Sequence, residues 1–163
     1  MPRVQRVVVD QPPPAPGEQL DLNGLPGLLG FQVRRAQIAM YRDFNATLKP
    51  VDLTQKQYAV LALLRANPGA SQIAIAGTLG MDRATMMAIV DRLQDRHLLV
   101  RERSKTDRRR QELYLTEEGL AQFEDANRLI AKHEGRFLKR FSPQEVRQLM
   151  GMLRRIHEDP SAE

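Results

Sequence analysis

The sequence contains no cysteine and no tryptophan among its 163 residues. Without a thiol, the chain can form no disulfide framework and can carry no thiol-based oxidant sensor. No apolar run approaches the roughly 20 residues that a membrane-spanning helix needs. Residues 1–10 also lack the apolar centre of a secretory signal. We therefore expect a cytoplasmic protein that does not enter a membrane.

The side chains that enzymes use for chemistry are also sparse. The three histidines, His97, His133 and His157, lie far apart in the sequence and do not have the spacing of metal ligands. Neither a phosphate-binding loop nor a pairing of a nucleophile with a base is evident. The sequence therefore predicts no catalytic residues, no metal site and no cofactor.

Positive charge is in excess. The chain has 25 lysines and arginines against 20 aspartates and glutamates, which gives a formal net charge of +5. Such a charge suits a polyanionic partner such as DNA, although an anionic membrane surface would attract it as well. The net charge alone does not distinguish DNA from a membrane surface as the partner, so the positions of the basic residues in the sequence must be considered.

The pattern from residue 71 to residue 115 is typical of a helix-turn-helix followed by a β-hairpin. A short first helix is expected to pack through Ile73, Ala74, Ala76 and Leu79. Asp82 can then cap a second helix, which buries a stripe at helical spacing made of Met86, Ile89, Val90 and Leu93. Four residues remain on the exposed N-terminal face, where a recognition helix meets base edges: Arg83, Thr85, Met87 and Ala88.

The expected hairpin carries a dense cluster of positive charge. Segment 101–110 holds six basic and two acidic residues between two stretches with the alternation of strands. We expect minor-groove contacts at the tip from Arg108 and Arg109, and phosphate contacts from Arg101, Arg103, Lys105 and Arg110. A helix-turn-helix followed at once by a basic hairpin is the layout of a winged helix, so the sequence predicts binding to double-stranded DNA.

Four sequence blocks in this order and spacing resemble the MarR family of bacterial transcriptional regulators. They are Leu79–Thr85, Val90–Leu93, Asp107–Arg109 and Leu115–Gly119, and the resemblance extends over roughly residues 25–156. It implies a homodimer with a winged helix in each subunit and DNA binding controlled by a small ligand or an oxidant. Asp107 with Arg109 resembles the family's Asp-x-Arg motif, which implies an ion pair that braces the wing.

The expected organisation is a mostly α fold with a small β-hairpin wing: a winged helix-turn-helix with a helical dimerisation lobe. Residues 1–20, with five prolines of which four lie between residues 12 and 16, are predicted to be a flexible arm, and residues 21–163 a single domain. Dimerisation helices are expected at about 22–48, with a first long helix from Leu25 to Leu48, and at about 117–158. The winged helix is expected at about 52–116. Capping residues are expected at Thr54, Ser71, Thr116 and Ser142.

The resemblance also implies an effector pocket lined by the first, second and fifth helices. Arg34, Arg35, Tyr41 and Tyr58 are its expected contributors. Guanidinium beside aromatic groups suits an aromatic carboxylate or its coenzyme A thioester. The alternative is that both arginines are solvated or paired with acids of a neighbouring helix.

These observations favour a homodimeric repressor that a small anionic effector releases from an inverted-repeat operator. A second hypothesis is a weakly specific or architectural DNA-binding protein with no effector, because the recognition helix offers few side chains that can hydrogen-bond a base edge. An enzyme is disfavoured because no catalytic constellation is evident.

Overall fold

The computed structural model describes residues 18–104 and 111–158, and residues 1–17 of the expected arm lie outside that range. The order of elements is a 3₁₀ turn Leu25–Gly27, α1 Leu29–Leu48, a 3₁₀ turn Lys49–Val51, α2 Gln55–Ala66, α3 Gln72–Thr78, α4 Arg83–Asp95, β1 Leu99–Arg103, β2 Gln111–Leu115, α5 Glu117–Leu138 and α6 Pro143–His157. The expected fold class, mostly helical with one small hairpin, is confirmed. The chain divides into two units, Met1–Ala39 and Met40–Glu163.

Five helices begin where the sequence predicts, because a polar side chain caps each one. Thr54, Ser71, Asp82, Thr116 and Ser142 each accept a hydrogen bond from the backbone N–H three residues later. At two of these helices, α2 and α6, a reciprocal side-chain bond completes a capping box. Each cap satisfies backbone donors that the helix itself leaves without a partner.

The first long helix begins later than expected. Leu25–Gly27 forms a 3₁₀ turn, and Leu28 is extended at φ −86° and ψ 127°, so α1 starts at Leu29. The glycines on both sides of Pro26 have low helix propensity, and this explains why the apolar stripe begins before the helix does. The helix ends at Leu48, two residues before Pro50, as a proline at that position favours.

The core of the second unit lies between α2, α4 and the hairpin. Nine large side chains are at most 1% exposed there: Leu48, Val60, Leu61, Leu64, Met86, Val90, Leu93, Leu99 and Leu113. Each contributes roughly 1.5–3 kcal/mol relative to an exposed side chain. Since the expected stripe of α4 is buried in this core, the opposite face of α4 must point outward.

The hairpin pairs antiparallel and is attached to the core at its base. Leu99 lies opposite Leu115 and Arg103 lies opposite Gln111. Leu113 forms a further bridge with Ala70, next to the start of α3. The hairpin is therefore fixed at one end by buried leucines, while its other end leads into segment 105–110, outside the described residues.

The expected packing of α3 was partly wrong. Ile75 and Ala76 are buried and Leu79 is half-buried, but Ile73 is 66% exposed and Ala74 is exposed. Residues two apart on an α-helix point about 200° away from each other, so Ile73 and Ile75 cannot both face the core. The helix buries Ile75, and Ile73 consequently lies on the outer surface.

Within the described residues, no single helix is long and apolar enough to cross a membrane. The helices α3 and α4, which are bent by 117° relative to each other, reach the length and apolar composition of a membrane span only when they are counted together.

Gly119 allows the start of α5 to pack closely against the backbone of Leu98, three residues after the end of α4. A Cβ built at Gly119 would lie 1.8 Å from the carbonyl oxygen of Leu98. The same carbonyl accepts a hydrogen bond from the Thr116 N–H at 3.3 Å. No side chain fits at Gly119 unless α5 moves away from Leu98.

We expect Gly119→Ala to lower the free energy of unfolding by about 1–3 kcal/mol, the usual cost of overpacking a tight site. Urea unfolding monitored by circular dichroism measures the change. Gly135→Ala is the matched control, because Gly135 lies in the same helix with open space around its Cβ position. Alanine there should be neutral or stabilise by up to ~1 kcal/mol. Equal effects of the two substitutions would contradict the close contact.

Candidate nucleic-acid interface

The outward face of α4 carries the four residues expected to meet DNA. Arg83, Met87 and Ala88 are exposed, and Thr85 is half-buried. Arg83 is the first residue of the helix, and the others lie within its first two turns. The structure thus brings all four to the N-terminal part of one helix, as a recognition helix requires.

Thr85 has a structural partner that limits its use for base recognition. Its hydroxyl donates to one carboxylate oxygen of Asp82 at 2.6 Å, and its backbone N–H donates to the other at 2.8 Å. These bonds favour the ionised carboxylate and hold the pKa of Asp82 below its ordinary value. Because the hydroxyl proton of Thr85 is engaged, Arg83 is the stronger candidate donor to a base.

The turn between α3 and α4 fixes the angle of the recognition helix. Gly80 has φ +60°, which favours glycine. The Met81 N–H donates to the Ala76 carbonyl at 2.9 Å. Just after α4, His97 adopts φ +58°, the left-handed conformation that glycine commonly supplies at the end of a helix.

Arg101 joins the hairpin to the recognition helix. Its guanidinium donates to the Gln94 amide oxygen at 2.7 Å and forms an ion pair with Asp91, and the side chain is only 21% exposed. Arg103, two residues along the same strand, is exposed. Arg101 therefore braces β1 against α4. The phosphate contact expected of Arg101 from the sequence stays untested, and its engagement with Asp91 and Gln94 leads us to expect a bracing role in its place.

The remaining wing residues cannot be compared with the structure. Lys105, Asp107, Arg108, Arg109 and Arg110 lie outside the described residues. Their contacts with DNA, and the ion pair between Asp107 and Arg109, stay predictions.

The expected effector residues fall into both units. Arg34 and Arg35 belong to the first, where both are exposed and the Arg35 guanidinium lies 5.9 Å from the centre of the Phe31 ring. Tyr41 and Tyr58 belong to the second. Tyr41 is 50% exposed.

Tyr58 lies within an aromatic cluster between α1, α2 and α5. Its ring stacks on Phe123 with centres 5.6 Å apart and meets Phe44 edge-on at 6.2 Å. Its hydroxyl donates to the Asn127 side-chain oxygen at 3.0 Å. Burial raises the pKa of the Tyr58 phenol above its ordinary value.

The sequence reasoning missed a polar cluster that joins α1 to α5. His133 is 1% exposed, and its Nδ1 lies 2.5 Å from an Asp43 carboxylate oxygen. Arg136 donates to the same oxygen at 2.5 Å and to the Thr47 hydroxyl at 2.6 Å. Arg136 and His133 hold the pKa of Asp43 below its ordinary value. Phe44 and Phe137, which lie beside His133, could be recognised in the sequence as apolar residues. No local sequence signal links Asp43 to His133, because they are 90 residues apart.

The described residues contain no group of three or more histidines, cysteines, aspartates or glutamates that could hold a metal ion. The arrangement presents Arg83 and Met87 on the exposed face of α4 and Arg103 on the exposed part of β1, which suits the binding of a partner.

The contrast between Arg101 and Arg103 generates a prediction. Each phosphate contact that a basic residue makes contributes about one unit to the slope of log affinity against log salt. Arg103→Gln should lower that slope by about one. Arg101→Gln should weaken DNA binding about as much as Asp91→Asn, with the slope unchanged, because both variants release the same brace.

Fluorescence anisotropy titrations of a labelled duplex at several salt concentrations measure affinity and slope together. The double variant Arg101→Gln/Asp91→Asn should bind no more weakly than either single variant. A slope lowered by Arg101→Gln, together with no effect of Asp91→Asn, would make Arg101 a phosphate contact instead.

Comparison with known proteins relates this architecture to a family. The sequence profile of the MarR family matches residues 51–110. A protein of Thauera aromatica, provisionally assigned as a transcriptional regulatory protein for the hcr operon, is 35% identical over 136 residues. The match covers 83% of this chain and 82% of that protein.

Two solved structures share both fold and sequence with the chain. The transcriptional repressor CouR bound to a 23-mer DNA duplex is 40% identical, with a TM-score of 0.82 over 86% of this chain and 100% of that chain. CouR bound to p-coumaroyl-CoA is 39% identical, with a TM-score of 0.80 over 86% of this chain and 99% of that chain. These relatives are transcriptional regulators, not enzymes. The chain belongs to the MarR family of transcriptional regulators.

Proposed function

We propose that the protein is a homodimeric repressor that binds an inverted-repeat operator in double-stranded DNA. In this proposal a small anionic effector, an aromatic acid or its coenzyme A thioester, releases it. The observation that carries the proposal is the match to CouR, a repressor solved both on a DNA duplex and with p-coumaroyl-CoA. A regulator of bacterial promoters works beside the chromosome, so we propose a cytoplasmic location.

A homodimer is supported by apolar surface that a single chain leaves uncovered. None of the residues of α6 is buried, and five large apolar side chains along it are 37–59% exposed: Leu149, Met150, Met152, Leu153 and Ile156. The start of α1 likewise exposes Leu29 at 66% and Val33 at 39%. Contiguous apolar patches of this kind are rare on monomers. We therefore propose that the helices at 22–48 and 117–158 form the dimerisation lobe.

Operator recognition is supported by the geometry of the second unit. The buried face of α4 turns Arg83 and Met87 outward, and Arg101 holds the basic hairpin against the same helix. In a twofold dimer the two copies of α4 would enter successive major grooves about 34–36 Å apart. The winged helix, at about 52–116, then reads an inverted repeat because the protein itself has twofold symmetry.

An aromatic, anionic effector suits the chemistry of the residues expected to bind it. Tyr58 belongs to a cluster of aromatic rings with Phe44 and Phe123, and aromatic groups pair favourably with one another. Arg34 and Arg35 offer exposed guanidinium groups, which bind carboxylate or phosphate through paired hydrogen bonds. A coenzyme A thioester of an aromatic acid carries both kinds of group.

Release from DNA requires the effector to distinguish two conformations. A ligand that bound the DNA-competent dimer and a misaligned dimer equally would shift neither population. The effector must therefore bind more tightly to a dimer in which the separation of the two α4 helices no longer fits the operator.

A second candidate is a weakly specific or architectural DNA-binding protein without an effector. One observation favours it: Thr85 uses its hydroxyl proton on Asp82, and Met87 and Ala88 offer no hydrogen bonds to bases. Shape and deformability of the DNA would then dominate recognition.

The first experiment is a titration of the DNA upstream of the protein's own coding region, with a random duplex of equal length as competitor. We expect tight, competitor-resistant binding that is lost on addition of p-coumaroyl-CoA or a related aromatic thioester or free acid. Binding unaffected by the whole panel would contradict the effector, and no preference over the random duplex would support the architectural candidate.

The effector site is tested with Arg34→Ala and Arg35→Ala. Both should bind the operator as the wild type does but need at least tenfold more effector for release, since a lost charged hydrogen bond weakens binding by about 1.5–3 kcal/mol. Arg65→Ala is the matched control, because Arg65 is an exposed arginine of α2 outside the expected site. Release at unchanged effector concentration in both variants would place the pocket elsewhere.

A further inference from the structure

A hollow of about 410 Å³ opens to solvent between α3 and α4. Its apolar lining includes Ile73 and Ala76 from α3 and Met87 from α4. Gln72 and Arg83 also line it, so polar groups lie beside the apolar surface. The hollow therefore lies between the outer side of α3 and the start of α4.

Two large apolar side chains stand exposed at this hollow. Ile73 is 66% exposed and Met87 is 54% exposed. Single exposed apolar residues are ordinary, but here two of them share one hollow with the arginine that begins α4. Ile73 is also one of the two residues of α3, with Ala74, that the sequence pattern wrongly assigned to the core. Places where a local pattern fails in this way are often functional.

We propose that this hollow receives the 5-methyl group of a thymine in each half of the operator, with Ile73 and Met87 as the specificity-determining contacts. The inference rests on the proposed function, since it requires α4 to enter the major groove. The thymine methyl is the one apolar group among the base-edge features of the major groove. The hollow is larger than one methyl group, and its apolar walls Ile73 and Met87 offer a surface against which that group can be buried.

The charge around the hollow favours DNA over another apolar occupant. Arg83 contributes a guanidinium that can bind guanine or a phosphate next to the thymine, and the Gln72 amide can bind an adenine edge. The chain carries a formal net charge of +5, which draws it toward a polyanion. A second copy of this chain would bring another Arg83 toward the first if the hollow lay on a twofold contact, and like charges there would repel.

This assignment explains how α4 could discriminate sequences with few hydrogen-bond donors. The hydroxyl of Thr85 is hydrogen-bonded to Asp82. The groups of α4 that remain to distinguish bases are the guanidinium of Arg83 and the apolar surface of the hollow. An operator half-site recognised in this way has a fixed thymine near the base pair or phosphate that Arg83 contacts.

Uracil scanning of the operator tests the inference. Replacing one thymidine by deoxyuridine removes only the 5-methyl group and keeps the Watson–Crick pair and the hydrogen-bonding pattern of the groove. We expect one position in each half-site at which uracil weakens binding about fourfold, the equivalent of ~0.8 kcal/mol for one buried methyl. Uracil at the other positions should have little effect.

Protein variants then assign that position to the hollow. Ile73→Ser and Met87→Ser should each bind the thymine and uracil duplexes within about twofold of one another, whereas the conservative Ile73→Val should keep most of the fourfold preference. Thr78→Ala is the control, because Thr78 is an exposed residue of α3 that does not line the hollow. Circular dichroism and sedimentation confirm that each variant keeps the fold and oligomeric state of the wild type.

The outcomes separate this inference from the function on which it rests. Specific operator binding with no sensitive uracil position, or with a sensitivity that Ile73→Ser and Met87→Ser leave intact, overturns the inference alone. If Ile73→Ser changes the oligomeric state and no uracil position weakens binding, the inference is overturned, and the hollow is instead a contact with a second copy of the chain. Failure of the wild type to prefer any operator overturns the proposed function, and the inference with it.

Discussion

Burial of one face of α4 in the core of the second unit is the constraint on which the interface depends. Met86, Val90 and Leu93 are completely buried, and residues three and four apart on a helix share a face. Rotation of the helix would expose these side chains, each at a cost of roughly 1.5–3 kcal/mol. The opposite face, with Arg83 and Met87, is consequently presented in one orientation. The orientation in which α4 presents Arg83 and Met87 is thus set by packing.

Two further contacts join the neighbouring elements to that helix. Arg101 connects β1 to Asp91 on α4, and Gly119 lets α5 begin directly against the Leu98 carbonyl. The recognition helix, the base of the hairpin and the start of α5 are therefore packed as one piece. Farther along α5, Asp43 of α1 binds His133 and Arg136. Helix α5 thereby contacts both the end of the helix-turn-helix region and the second half of α1.

Local chemistry decides which parts of this structure could be predicted from the sequence. A cap such as Asp82 acts on a backbone N–H three residues away, so it is visible in the sequence, and the capped starts of α2 to α6 were all confirmed. The inward assignment of Ile73 failed because a seven-residue helix has too few apolar positions to define its buried face. The pairing of Asp43 with His133 was missed because tertiary folding alone brings together residues 90 apart.

In the proposed dimer, two copies of α4 read two major grooves on one face of the DNA. Hydroxyl-radical footprinting of the purified protein on the DNA upstream of its coding region tests this most directly. We expect two protected patches related by twofold symmetry, with centres about 10–10.5 base pairs apart or at a multiple of that spacing. A single protected patch, or protection spread evenly along the duplex, would contradict it.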